Sequence, residues 1–280
     1  MKKSISVLIL SSIIIFSACK KDHSNPGEKP PDVIPYDTAA TTFITNSGIT
    51  DTLQKSAIND LVVQLKKDTL WDKFLALYPM IGGTDATTKW NLKDARDLDN
   101  AYRISWNGAP SFKSTGVTCL AATDWGDTHL NDSVLQYDNS AISFYSGTQN
   151  QTSGYDMGCS NEIFPYNILA YYEDFGNDIV NTWFNAYDTI AYQPANTIGL
   201  SMNSSFGGEV VHYVNGTAVS IYGAPDEAHT KQTITIGQVL DDPRMGLREC
   251  RFASIGKGLS ASQALKFYNA VQAFEKKLGR

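Results

Sequence analysis

Val211-His212-Tyr213-Val214-Asn215-Gly216-Thr217-Ala218-Val219 is two strand-forming runs joined by Asn-Gly. A two-residue type I′ turn needs positive φ at both central residues, and Asn-Gly is the pair that adopts it most readily, so the stretch predicts an antiparallel hairpin. The same reading extends outward in both directions. Tyr102, Ile104 and Trp106 alternate with Arg103 and Ser105, and Ile142 and Phe144 alternate with Ser143 and Tyr145. Further strand-like runs are expected at 168–172, 179–184, 198–202, 209–214, 217–222, 233–237 and 249–255. No helical pattern separates them, so the fold class is mainly β, an antiparallel sandwich and not a parallel α/β sheet.

Helical periodicity brackets the strands. From Thr52 to Tyr78 one apolar face carries Leu53, Ile58, Leu61, Val62 and Leu65, and after a break near Asp68-Thr69 it continues through Leu70, Phe74 and Leu77. Pro79 and Gly82-Gly83 end it. At the other end, Ser260-Ala261-Ser262-Gln263 has the capping-box pattern, and Ala264, Leu265, Tyr268, Val271, Phe274 and Leu278 follow at helical spacing.

The first forty residues concern address. Met1-Lys2-Lys3, an apolar run from Ile5 to Phe16 and Ser17-Ala18-Cys19 form a secretory leader too short to span a membrane. The ending resembles the bacterial lipobox, with Phe16 where Leu is usual. The resemblance implies removal of residues 1–18 as a signal peptide and acylation of Cys19, palmitate included. Two or more acyl chains make such an anchor stable. Residues 19–50, with Pro26, Pro30, Pro31 and Pro35, read as a flexible tether, and residues 51–280 as a single domain. Lys20-Lys21-Asp22 resembles the charged tract of lipoproteins in the outer membrane of Gram-negative bacteria, some of them surface-exposed.

The net charge of −6 would become −8 without Lys2 and Lys3, and no basic patch interleaved with aromatics offers itself to nucleic acid. Cys119, Cys159 and Cys250 match no zinc spacing; Cys119 and Cys159 both fall in loop-like stretches and are expected to form a disulfide, with Cys250 packed as a small apolar residue. Asp124-Trp125-Gly126-Asp127-Thr128-His129 is the densest polar cluster. By default it is a loop held by Asx-type bonds; Asp124, Asp127 and His129 beside the Trp125 ring are the candidate ligand-binding residues. No cofactor is expected; a structural calcium on the two aspartates is the alternative, although these supply only part of its six to eight oxygens. His212 is expected to pair across a sheet and His229 to be solvated, with no nucleophile motif near either. Glu173-Asp174 are adjacent and so cannot share one strand face as a glycosidase pair would. Trp106 reads as core.

Tyr213-Val214-Asn215-Gly216, Ile236-Gly237 and Phe252-Ala253-Ser254-Ile255-Gly256-Lys257-Gly258-Leu259-Ser260 resemble the concanavalin A-like jelly rolls of laminin-G-like type. Residues 101–108, 126–131 and 268–274 are similar to an uncharacterised subgroup of bacterial lipoproteins and phage structural proteins. The resemblance implies a jelly-roll β-sandwich over residues 55–280, closed by a C-terminal helix. With the anchor and tether, the reading is a non-enzymatic lipoprotein that displays this module to glycans or a cell-surface partner. A divergent glycosidase or lyase on the same fold, and a structural envelope component, are the alternatives.

Overall fold

The computed structural model describes residues 35–149, 154–160, 166–171, 180–186, 190–192, 196–223, 230–239 and 246–280. Cys19, Glu173, Asp174 and His229 lie outside them. Fifteen strands pair antiparallel in two sheets among the described residues. They are β1 (Phe74–Tyr78), β2 (Ser105–Asn107), β3 (Ser111–Lys113), β4 (Gly116–Thr118), β5 (Trp125–Asn131), β6 (Asn139–Ser146), β7 (Gly154–Cys159) and β8 (Tyr166–Tyr171). There follow β9 (Val180–Ala186), β10 (Ile190–Tyr192), β11 (Gly199–Phe206), β12 (Glu209–Val214), β13 (Thr217–Tyr222), β14 (Thr233–Ile236) and β15 (Cys250–Gly256). The first sheet runs β13-β12-β11-β6-β15-β4-β3, with β1 also on β15; the second runs β10-β9-β8-β7-β14-β5-β2. This is the antiparallel β-sandwich expected.

The hairpin forms as its sequence dictates. Val214 pairs with Thr217, and Asn215 (φ 50°) and Gly216 (φ 76°) make the turn. Asn215 is tied to β11 in both directions: its N–H donates to the Leu200 carbonyl (2.8 Å) and its Oδ1 accepts from Leu200 N–H (2.9 Å).

Helices form a third layer on the outer face of the first sheet. They are α1 (Thr38–Ser47), α2 (Thr52–Lys67), the short α3 (Asp85–Thr88) and α4 (Ala261–Lys277). Phe43 of α1, Ile58, Leu61 and Leu65 of α2, and Phe267, Val271 and Phe274 of α4 pack with Leu200, Met202, Val211, Tyr213 and Phe252 of the sheet. The capping box at Ser260 starts α4, with Ser260 N–H donating to Gln263 Oε1 (3.0 Å). The inward face of α4 carries Phe267, whereas Leu265 is exposed. Between the sheets, Tyr78, Ile142, Phe144, Val210 and Ile255 meet Leu130, Met157, Phe184, Ile234 and Ile236.

The tether, residues 74–78 and the disulfide need correction. Residues 38–47 of the expected tether are α1, capped by Asp37, whose side chain accepts from Ala39 N–H, and ended by Gly48 at φ 70°. Its four buried residues give a segment that follows a proline-rich stretch a core to join. Residues 74–78 form β1, not the continuation of a helix: Phe74 and Leu77 face the helices while Ala76 and Tyr78 face the second sheet, so a strand buried on both sides reads as an unbroken apolar run. The third correction is the disulfide. Cys119 and Cys159 are separate, buried, free thiols, as is Cys250. Thr230 Oγ1 donates to Cys159 Sγ (3.3 Å), while Cys119 packs against the Cα of Gly237, where no side chain would fit. Burial, with Asp124 nearby, pushes the Cys119 thiol up to about 12, so the thiol is unreactive at neutral pH.

Candidate functional site

The polar cluster is a strand, not a loop. Along β5, Gly126, Thr128 and Leu130 are buried while Trp125, Asp127 and His129 stand half-buried on the outward face. Its outward positions after Trp125 are polar and its inward ones include Gly and Thr, so the apolar alternation that betrays a strand is missing. The edge strand β2 lies beside it, with Ser105 opposite Asp127, Trp106 opposite Gly126 and Asn107 opposite Trp125. Trp106 packs inward against the core between the sheets and edge-on to Phe112 (5.6 Å between centroids). Gly126 is required there, because a Cβ would run into the Trp106 ring and Ile104.

Asp124 is not part of this face. Its carboxylate is buried and accepts from the backbone N–H groups of Ala109 (2.8 Å), Leu120 (3.0 Å) and Ala121 (3.0 Å), and from Thr123 Oγ1 (3.3 Å). Burial alone would raise its pKa, but these donors together hold it below the ordinary carboxylate value. Gly108, at φ 70°, passes so close to that carboxylate that a Cβ would collide with it. Asp124 therefore clamps two loops together, as the Asx-type reading expects, and is withdrawn from any ligand.

His129 owes its position to a bulge. Between Thr233–Asn131 and Thr235–Asp127 the register of β14 and β5 shifts, and His129 takes φ 55° there. Asp127 Oδ1 accepts from His129 N–H (2.8 Å), and Thr128 Oγ1 donates to the Ile234 carbonyl (2.6 Å), which fixes the two sides of the bulge. The imidazole is thereby turned toward β2: Nε2 lies 2.8 Å from Ser105 Oγ and 3.4 Å from Asp99 Oδ1. Arg103 pairs with Asp99 (2.8 Å). Trp125 is bounded on its β14 side by Gln238. With that amide oriented to suit its neighbours, its nitrogen donates to the Ala122 carbonyl (2.9 Å) and its oxygen accepts from Trp125 Nε1 (3.2 Å).

The structure thus brings Trp125, Asp127 and His129 onto one face and turns Asp124 away. It adds Ser105, Asn107, Asp99 and Arg103, which the sequence reading did not place there. Ser105 was visible only as an alternating position, because its neighbours depend on the β2–β5 register. Among the described residues no group of three or more His, Cys, Asp or Glu side chains is arranged to hold a metal ion, and no helix is long and apolar enough to cross a membrane. His212 pairs across β12 and β11, with Nδ1 2.5 Å from Asn203 Oδ1 and Nε2 3.3 Å from Ser201 Oγ, fully buried.

No protein-family model matches the chain, and no curated protein matches it significantly. Solved structures resemble it in fold. HCR/D-Sa-GBL1/C aligns over 72% of this chain and 52% of its own, at a TM-score of 0.50 and 12% identity. The sialidase of Trypanosoma rangeli in complex with 2,3-difluorosialic acid aligns over 76% of this chain and 38% of its own (TM-score 0.48, 8% identity). Domain 4 of AbnA, a GH43 extracellular arabinanase from Geobacillus stearothermophilus in complex with arabinotriose, aligns over 70% and 98% (TM-score 0.45, 15% identity).

Proposed function

We propose that this chain is a recognition module of the bacterial envelope that binds glycan, free or on a cell-surface partner, on the outward face of β5 beside β2. Its leader and Cys19 would anchor it by lipid to the outer membrane. The observation that carries the reading is the row of outward side chains: an indole face at Trp125, continued by Asp127 and His129 and flanked by Asn107 and Ser105. A pyranose or furanose ring presents an apolar face to stack on an aromatic ring and hydroxyls that both donate and accept. Asp127 accepts, Asn107 and Ser105 do both, and the imidazole does either. Trp125 is held at its Nε1 edge by Gln238, so its ring is ordered before a ligand arrives, which lowers the entropic cost of binding.

The test is a glycan array probed with the full-length protein in mild detergent, beside its Trp125→Ala variant. Binding to a defined set of glycans that is lost or much weakened in the variant is expected. Wild-type silence across the array, or equal signals from the two proteins, would remove the reading.

A further inference from the structure

The same strand face holds an arrangement that goes beyond recognition. Ser105 Oγ lies 2.8 Å from His129 Nε2, and His129 Nδ1 lies 3.7 Å from Asp127 Oδ2. Hydroxyl, imidazole and carboxylate follow one another in the order that activates a serine, an arrangement recognised by geometry and not by position in the chain. The carboxylate is tied to the His129 backbone, because Asp127 Oδ1 accepts its N–H (2.8 Å), and the bulge fixes that residue at φ 55°. With the proton on Nδ1, facing the Asp127 carboxylate at 3.7 Å, the Nε2 lone pair is left for the serine proton. Asp99 also approaches Nε2, but it is engaged by Arg103 (2.8 Å). Arg103 also lies 3.5 Å from Asp97, so its charge is shared between two carboxylates.

We propose that Ser105, His129 and Asp127 form a nucleophilic triad that hydrolyses small carboxylic esters. Ser105 Oγ attacks the carbonyl carbon while its proton passes to His129 Nε2. The bond from that carbon to the alcohol oxygen then breaks, and His129 returns the proton to the leaving alcohol. Water next attacks the acyl-serine, giving its proton to His129; the Ser105 oxygen leaves and recovers that proton. The sum is ester and water to acid and alcohol. Ser105 and His129 are the catalytic residues, Asp127 is a positioning residue, and Arg103 holds Asp99 beside the imidazole. His129 and Asp127 retain 23% and 24% side-chain exposure, so a small ester reaches them from solvent.

This activity does not depend on glycan recognition, and its test uses no glycan. The full-length protein is treated with a fluorophosphonate probe and assayed with p-nitrophenyl acetate. We expect an adduct mapped to Ser105, with fluoride as the leaving group, and release of p-nitrophenolate. Ser105→Ala should abolish both, and His129→Ala should slow both about 100-fold or more. Asp127→Asn should lower kcat at unchanged KM, with part of the loss restored by Asp127→Glu, which loss of folding would not produce. Natively folded wild-type protein that takes up no probe at Ser105 overturns the proposal whatever the variants do. Hydrolysis that survives in Ser105→Ala overturns it equally.

Discussion

Asp124 and Asp127 stand three positions apart and have opposite fates. Asp124 is enclosed by four donors, whereas Asp127 lies on the open face of β5. Removing the Asp124 carboxylate strands the backbone N–H groups of Ala109, Leu120 and Ala121 that turn inward to it, and an unpaired N–H of this kind costs about 1–3 kcal/mol where water does not reach it. Asp124→Ala is therefore expected to lose roughly 2–4 kcal/mol in urea unfolding, with Asp127→Ala within about 1 kcal/mol of wild type. Equal losses would mean that the clamp is not where the stability lies. His212 makes a prediction of a different kind. Burial pushes its pKa down from 6.5 to about 3, so it is neutral in the folded protein at neutral pH. Its unfolded form takes up a proton first as the pH drops, so its contribution to stability is complete above about 6.5 and is lost as the pH falls through 6.5 toward 3. Denaturant midpoints measured from pH 7.5 down to 4 should fall less steeply in His212→Gln than in wild type; parallel curves would show that another group dominates.

Among the elements, α4 has one face buried and the other exposed. Phe267 is fully buried, with its ring 4.6 Å from Phe74 and 6.2 Å from Phe252. Phe267→Ala should cost about 3–5 kcal/mol. Leu265→Ala, on the exposed side of the same helix, should stay within about 0.5 kcal/mol, and thermal unfolding of the pair distinguishes the two faces. This helix was legible because its signals are local: a capping box and one apolar stripe. The Asn215-Gly216 hairpin was legible for the same reason, since the turn chemistry resides in the two residues that make it. β1 was not, because a strand buried on both faces loses its period. β5 was not, because its outward side is polar and its inward side is partly Gly and Thr. Trp125, Asp127 and His129 could be picked out as a polar cluster, yet the partners that give them chemistry, Ser105 and Asp99, lie 20 or more residues earlier in the sequence. The β2–β5 register brings Ser105 near, and the 3-10 turn Asp99–Ala101 before β2 brings Asp99.

Across the molecule, the helices cover the outer face of the first sheet, and the outward row on β2 and β5 belongs to the second. The proposed lipid anchor belongs to this scale, because acyl chains on Cys19 would hold the whole sandwich at the membrane surface. Cys19→Ala should leave the membrane fraction and take up no labelled palmitate, while a variant that still does both would remove the anchor from the account. The surface ion pairs around the site, such as Arg103 with Asp99, are each worth at most about 1 kcal/mol, so their role is to orient and not to stabilise. Recognition on the β5 face is tested most directly by isothermal titration of the strongest array glycan into wild type and Trp125→Ala. The account predicts at least about a tenfold weaker Kd in the variant, equivalent to the roughly 1.4 kcal/mol or more that a stacked aromatic face contributes. The same Kd for both proteins would contradict it.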